Sequence, residues 1–217
     1  MKKEEKVIKY YLLCNQLKDV IRTGWKKWKV KKERLESVAE HIFGVQMLAI
    51  AMYSEYEYKN LDLRKVILML AIHELEEITI GDKCWFEITD KDKKEQGHIA
   101  VKKLLGDLIV GEELVSLIVE FDERESEEAK FAYYCDKLEC DLQAKLYDEE
   151  GRVDINDQND NPAMKEEIVN HLLDSEGSWS SYWLEFDKRR CSFDKNFESI
   201  LDYAKNNEIS NLIQNEK

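Results

Sequence analysis

The chain has 217 residues, 43% of them hydrophobic and 36% charged, with one proline and eight glycines. That is enough apolar material for one large core and too little punctuation for a many-stranded β fold. The 10% aromatic share excludes a chain disordered throughout, and the net charge of −13 excludes a general nucleic-acid binder, whose affinity rests on neutralising phosphates.

The charge is uneven. Residues 1–34 carry twelve Lys/Arg against four Asp/Glu. The periodicity of Val7, Ile8, Tyr11, Leu12, Leu17 and Ile21 predicts a first helix over 4–21, broken at Thr23-Gly24. A basic loop follows, with Trp25 and Trp28 among its lysines; it reads either as a solvated loop or as an anion site. Ser37-Val38-Ala39-Glu40 is a capping-box pattern opening a helix to about Ser54. Asp62 caps a helix predicted over 63–79, with Gly81 as its stop. Further helices are predicted over 92–105, 112–121 and, capped by Ser126, to about Tyr147. A polar loop spans 148–161, and Asn161-Pro162 introduces helices near 163–173, 178–189 and 195–206. The fold class is therefore all-α.

The charged first residues lack the apolar stretch of a signal peptide, and the longest apolar run, Val66 to Ile72, is far short of the roughly 20 residues that span a bilayer. The five cysteines form no C-x-x-C pair and are odd in number, which argues against a zinc knuckle or a disulfide framework. A cytoplasmic protein with no membrane and no nucleic-acid partner is expected.

Four histidines occur, at 41, 73, 98 and 171. Two lie in apolar helical stretches beside a carboxylate, Glu40-His41 and His73-Glu74. Burying an imidazole beside a carboxylate is costly unless the two are paired or bind a metal. Either histidine alone reads more readily as a satisfied core or surface residue than as a ligand. On one continuous helix, His73 and Glu77 would share a face, with Glu74 to one side, so that a single segment could offer a metal an imidazole and a carboxylate. Glu76 reads as part of a solvated acidic helix end. His98 and His171 carry no comparable pattern, and Trp179 with Trp183, four apart, read as packing or a dimer contact.

Four ordered blocks resemble the HD-domain phosphohydrolases, and within them the 5′-deoxyribonucleotidase branch of YfbR-like and HD-domain-containing-2 proteins. The blocks are Arg22-Thr23-Gly24-Trp25; Glu36-Ser37-Val38-Ala39-Glu40-His41; Ala71-Ile72-His73-Glu74-Leu75-Glu76-Glu77 with Gly81-Asp82; and Glu127-Glu128-Ala129-Lys130-Phe131-Ala132 followed by Asp136-Lys137-Leu138-Glu139. The resemblance runs through about residues 12–147; the C-terminal third shows none.

The resemblance implies an HD-domain helical bundle over 1–175, with 176–217 a helical extension packed on the same domain. It implies metal ligands His41, His73, Glu74 and Asp136, with Glu77 catalytic and Arg22, Trp25 and Asp82 binding substrate. Glu74 stands where the family has Asp, one methylene shorter; the loop between Arg22 and His41 is longer than in relatives, and Trp28 replaces a basic residue. The implied cofactor is a divalent ion, Co²⁺, Mn²⁺ or similar. The implied function is a 5′-nucleotidase releasing phosphate from nucleoside monophosphates, deoxy forms foremost, as a homodimer. The rival expectations are an HD-type phosphodiesterase or triphosphohydrolase, and a metal- and nucleotide-binding protein whose turnover is weakened by Glu74.

Overall fold

The computed structural model describes residues 1–213. Among them the chain is helical, without a strand; the only β pairing is an isolated bridge between Ile21 and Ser37. Two compact units are distinguished: 1–23 with 36–135, and 24–35 with 136–217.

The first unit contains α1 (Lys3–Asn15), α3 (Val38–Glu55), α4 (Leu63–Ile72), α5 (Glu77–Ile80), α6 (Asp90–Leu105) and α7 (Gly111–Glu123). Helix α2 (Thr23–Lys27) and the long α8 (Glu127–Glu149) run across the division. Ser37 caps α3 by the predicted capping box: its side chain accepts from the Glu40 N–H, and Glu40 accepts from the Ser37 N–H at 2.9 Å. The buried stripe of α3 is Val38, His41, Val45, Ala49 and Met52, at successive spacings of three and four. His41 therefore occupies a core position of an otherwise apolar face. Helix α3 packs on α4, α4 on α7, and α6 on both α5 and α7. Leu17, Val38, Ile72, Leu75, Val101, Leu105 and Ile118 form a common core. The bridge at Ile21 is extended by Arg22 N–H to Glu36 O (3.1 Å) and Val38 N–H to Val20 O (2.8 Å), which fixes Arg22 beside the start of α3.

The second unit holds α9 (Glu167–Glu176), α10 (Trp179–Arg190) and α11 (Lys195–Asn206), with α10 packed between the other two. Its core is aromatic. Trp25 meets Tyr147 edge-on at 5.3 Å and Trp183 at 5.2 Å, while Trp28 meets Trp179 at 5.8 Å and Tyr182 at 5.5 Å.

Three sequence expectations are corrected here. The first helix ends at Asn15 rather than 21, passing into a 3-10 turn at Gln16–Lys18, and Val7, Ile8, Tyr11 and Leu12 face outward, so only Leu17 of the predicted stripe is buried. Thr23-Gly24 begins a short helix instead of ending one. The lysines of the basic segment are not a free anion site: Lys29 pairs with Asp157 and Asp160, Lys31 with Asp154 and Lys32 with Glu150. The acidic 148–161 segment neutralises them within the same unit, and Trp28 and Val30 between them are buried.

Candidate metal centre

The predicted helix over 63–79 is interrupted where the chemistry begins. Helix α4 ends at Ile72, residues 73–76 form tight turns, and α5 starts at Glu77. The backbone bonds there span three residues: Leu75 N–H to Ile72 O, Glu77 N–H to Glu74 O and Thr79 N–H to Glu76 O. At the break, the Leu70 carbonyl lies 2.8 Å from His73 Nδ1. His73 and Glu77 are thus adjacent through a turn, not through the helix face expected from their spacing. Gly81 ends α5 with φ +72°, a conformation glycine adopts without strain.

The Leu70 contact also assigns the imidazole. With Nδ1 donating to a carbonyl, Nε2 is the ring nitrogen that could ligate a cation. That nitrogen lies 3.8 Å from Glu74 Oε1. The His41 and His73 rings face one another at 5.7 Å between centroids. Asp136 stands at the start of the second unit's share of α8, one residue beyond Cys135 of the first, on a helix unbroken at that point. His41, His73, Glu74 and Asp136 are all buried, and each offers one atom such that the four lie within 4.8 Å of one another. Atoms sharing one ion at roughly 2.1 Å lie up to about 4.2 Å apart, so a small contraction closes the cluster on a divalent cation. Two imidazole nitrogens and two carboxylate oxygens suit several such ions.

Around this cluster, Arg22 Nη1 lies 3.5 Å from Glu74 Oε1, and Lys93 Nζ lies 3.2 Å from Glu77 Oε1 and 3.8 Å from Glu74 Oε2. Glu77 is 1% exposed and its Oε2 has no hydrogen-bond partner among the described residues. Burial pushes its carboxyl well above the ordinary range; the Glu74 charge adds to this, while Lys93 and Arg22 oppose it. Asp82 accepts the Thr23 N–H at its carboxylate, and its backbone carbonyl accepts the Thr23 hydroxyl at 2.9 Å. It thereby holds the segment that carries Arg22.

Trp25 is 1% exposed within the aromatic core of the second unit. His98 pairs with Asp122 at 2.7 Å and His171 is exposed, so neither joins the cluster. Glu76 overturns its reading as a solvated residue: it is buried against Gly97, where an added Cβ would come within 3.2 Å of its Cγ. Burial first, then the Glu74 charge, raise its carboxyl to about 8. Lys93 was not legible as a site residue. It is one of three lysines in the first turns of α6, and only the tertiary fold turns it toward Glu77 while Lys94 turns to Glu123.

Residues 14–171 match the HD domain model. The 5′-deoxynucleotidase HDDC2 of Mus musculus is 31% identical over 146 residues, covering 66% of this chain and 70% of that protein; its Dictyostelium discoideum counterpart is 29% identical over 153 residues, covering 66% and 78%. Among solved structures, the PH0347 protein of Pyrococcus horikoshii OT3 aligns over 92% of this chain and 98% of its own, with a TM-score of 0.66 and 27% identity. A predicted metal-dependent phosphohydrolase from Magnetospirillum magnetotacticum, at 20% identity, shares the fold over 96% of both chains with the same TM-score.

Proposed function

The chain belongs to the HD-domain family, and from that premise we propose that it is a metal-dependent 5′-nucleotidase acting on nucleoside monophosphates, deoxy forms foremost. The observation that carries this reading is the buried convergence of His41, His73, Glu74 and Asp136 with Glu77 three residues beyond Glu74.

His41, His73, Glu74 and Asp136 would hold the ion. A divalent cation there would supply Lewis-acid polarisation of a phosphoryl oxygen and lower the pKa of a water. Glu77, buried beside Glu74, would position the attacking water and take its proton at the carboxylate. Arg22, kept in place by Asp82 through Thr23, offers a planar, permanently charged guanidinium to the phosphate. Asp82 is thus a positioning residue, and Trp25 supports the site as packing rather than by touching the sugar. Glu74 reaches the cluster with its extra methylene, which favours a working site over a weakened one. The metal is Co²⁺, Mn²⁺ or a similar ion. A cytoplasmic location agrees with five cysteines of which none is in a disulfide. No helix among the described residues is long and apolar enough to cross a membrane. A homodimer is proposed on the family resemblance.

Phosphate release from dAMP, dGMP and dTMP, with Mn²⁺ or Co²⁺ added, tests this reading. Wild type is expected to hydrolyse monophosphates in preference to di- and triphosphates, and Glu77→Gln to lose about 10²- to 10⁴-fold in kcat while keeping its metal. Preference for a triphosphate or a diester would overturn the substrate assignment, and unchanged kcat in Glu77→Gln would overturn the role of Glu77.

A further inference from the structure

We propose that Lys93 is a second phosphate-contacting cation, which with Arg22 brackets the reacting phosphate of the substrate; the inference rests on the phosphohydrolase reading above. Its ground is the placement of two positive groups on one buried carboxylate. Arg22 approaches Glu74 at Oε1 and Lys93 approaches it at Oε2, from segments about 70 residues apart in sequence, at 3.5 and 3.8 Å. Glu74 belongs to the ligand cluster, so a phosphate drawn to an ion on that cluster arrives between the two.

Both distances exceed an optimal hydrogen bond, and Lys93 also donates to Glu77 Oε1 at 3.2 Å, so an incoming anion competes with these carboxylates for the two cations. The Lys93 side chain keeps 30% of its surface exposed, while that of Glu77 is wholly buried.

Lys93 adds a positive charge beside the Glu74 and Glu77 carboxylates. It does so as a compact ammonium with three donors, which follows a phosphoryl group whose oxygens move during reaction more freely than a rigid guanidinium does.

The test uses binding, not turnover. Inorganic phosphate is titrated calorimetrically into the Mn²⁺-loaded full chain carrying Glu77→Gln, and into Glu77→Gln/Lys93→Met. Removing the buried acid together with its cation avoids stranding an uncompensated charge, which guards the fold. The double variant is expected to bind phosphate about 10- to 100-fold more weakly, the range of one charge-assisted hydrogen bond. Lys93→Arg in the same background should stay within about 3-fold of its parent. If Lys93→Met does not fold, Lys93→Gln is read in the same way. Phosphate affinity unchanged to within about twofold would overturn the proposal. So would loss of metal by elemental analysis, because the lysine would then support the ion and not the anion. If wild type binds phosphate with this dependence on Lys93 yet hydrolyses no nucleoside monophosphate, the substrate assignment fails and the role of Lys93 stands.

Discussion

The first unit surrounds its buried acids with cationic or ligating groups. Arg22 and Lys93 flank Glu74, Lys93 touches Glu77, and two imidazoles stand within ligating reach. The second unit is built of rings, and its fully buried acid, Asp141, has neither carboxylate oxygen hydrogen-bonded among the described residues. Both arrangements raise a carboxyl by burial, but Glu77 has Lys93 Nζ 3.2 Å away, whereas Asp141 has no such ion pair among the described residues. The difference separates a region where buried charge is organised for chemistry from one where packing sets the stability and buried charge is a liability.

The sharpest way to break this comparison is to remove a ligand from the first unit. His73→Ala takes away both the Nε2 proposed as a ligand and the Nδ1 contact with Leu70. The purified variant is expected to carry no stoichiometric metal and to show background phosphatase activity, while far-ultraviolet circular dichroism stays that of a helical protein. Stoichiometric metal in His73→Ala would mean that the cluster is not the ion's site.

The second unit answers to packing. Trp25→Ala empties a ring that touches Tyr147, Trp179 and Trp183, and a buried Trp→Ala change costs about 3–5 kcal/mol, a large part of a typical domain's 5–15. Urea unfolding should show that loss. Trp25→Phe, which keeps most of the contact, should leave KM for dAMP within about twofold of wild type. A KM rise in Trp25→Phe without loss of stability would return Trp25 to the substrate and blur the contrast between the units.

These expectations also mark where sequence sufficed. Periodicity and caps located most helices, because Ser37, Asp62, Ser126 and Asn161 act through hydrogen bonds within a few residues. The convergence of His41, His73, Glu74 and Asp136 was legible because ordered blocks carry them. The break at His73 was not, since the residues on either side of it continue the helical pattern. Nor was the burial of Glu76, which depends on Gly97 of α6 leaving room for it. Lys93 and the pairing of the 29–32 lysines with the 150–160 acids are long-range facts, and nothing local distinguishes those residues from other surface charges.

Asp141 provides the smallest test. Burial raises its carboxyl well above the ordinary value, with the neighbouring Asp187 charge adding to the effect and Lys137 opposing it; Asp187 itself is raised to about 6, again chiefly by burial. A carboxyl raised in the folded state binds protons that the unfolded chain has already released. Between the unfolded value near 3.9 and the folded value, stability therefore falls as pH rises. Lowering the pH from 7 toward about 5 should accordingly strengthen the second unit, until the acids held low by their partners, such as Glu149 and Glu185, begin to protonate and reverse the trend. Asp141→Asn removes the charge and nearly preserves the shape. It is expected to stabilise the protein at pH 7 by about 1–2 kcal/mol and to flatten the rise between pH 7 and 5, measured by urea midpoints at each pH. Destabilisation at neutral pH would show that the ionised Asp141 has a compensating role, and the second unit would then organise its charge as the first does.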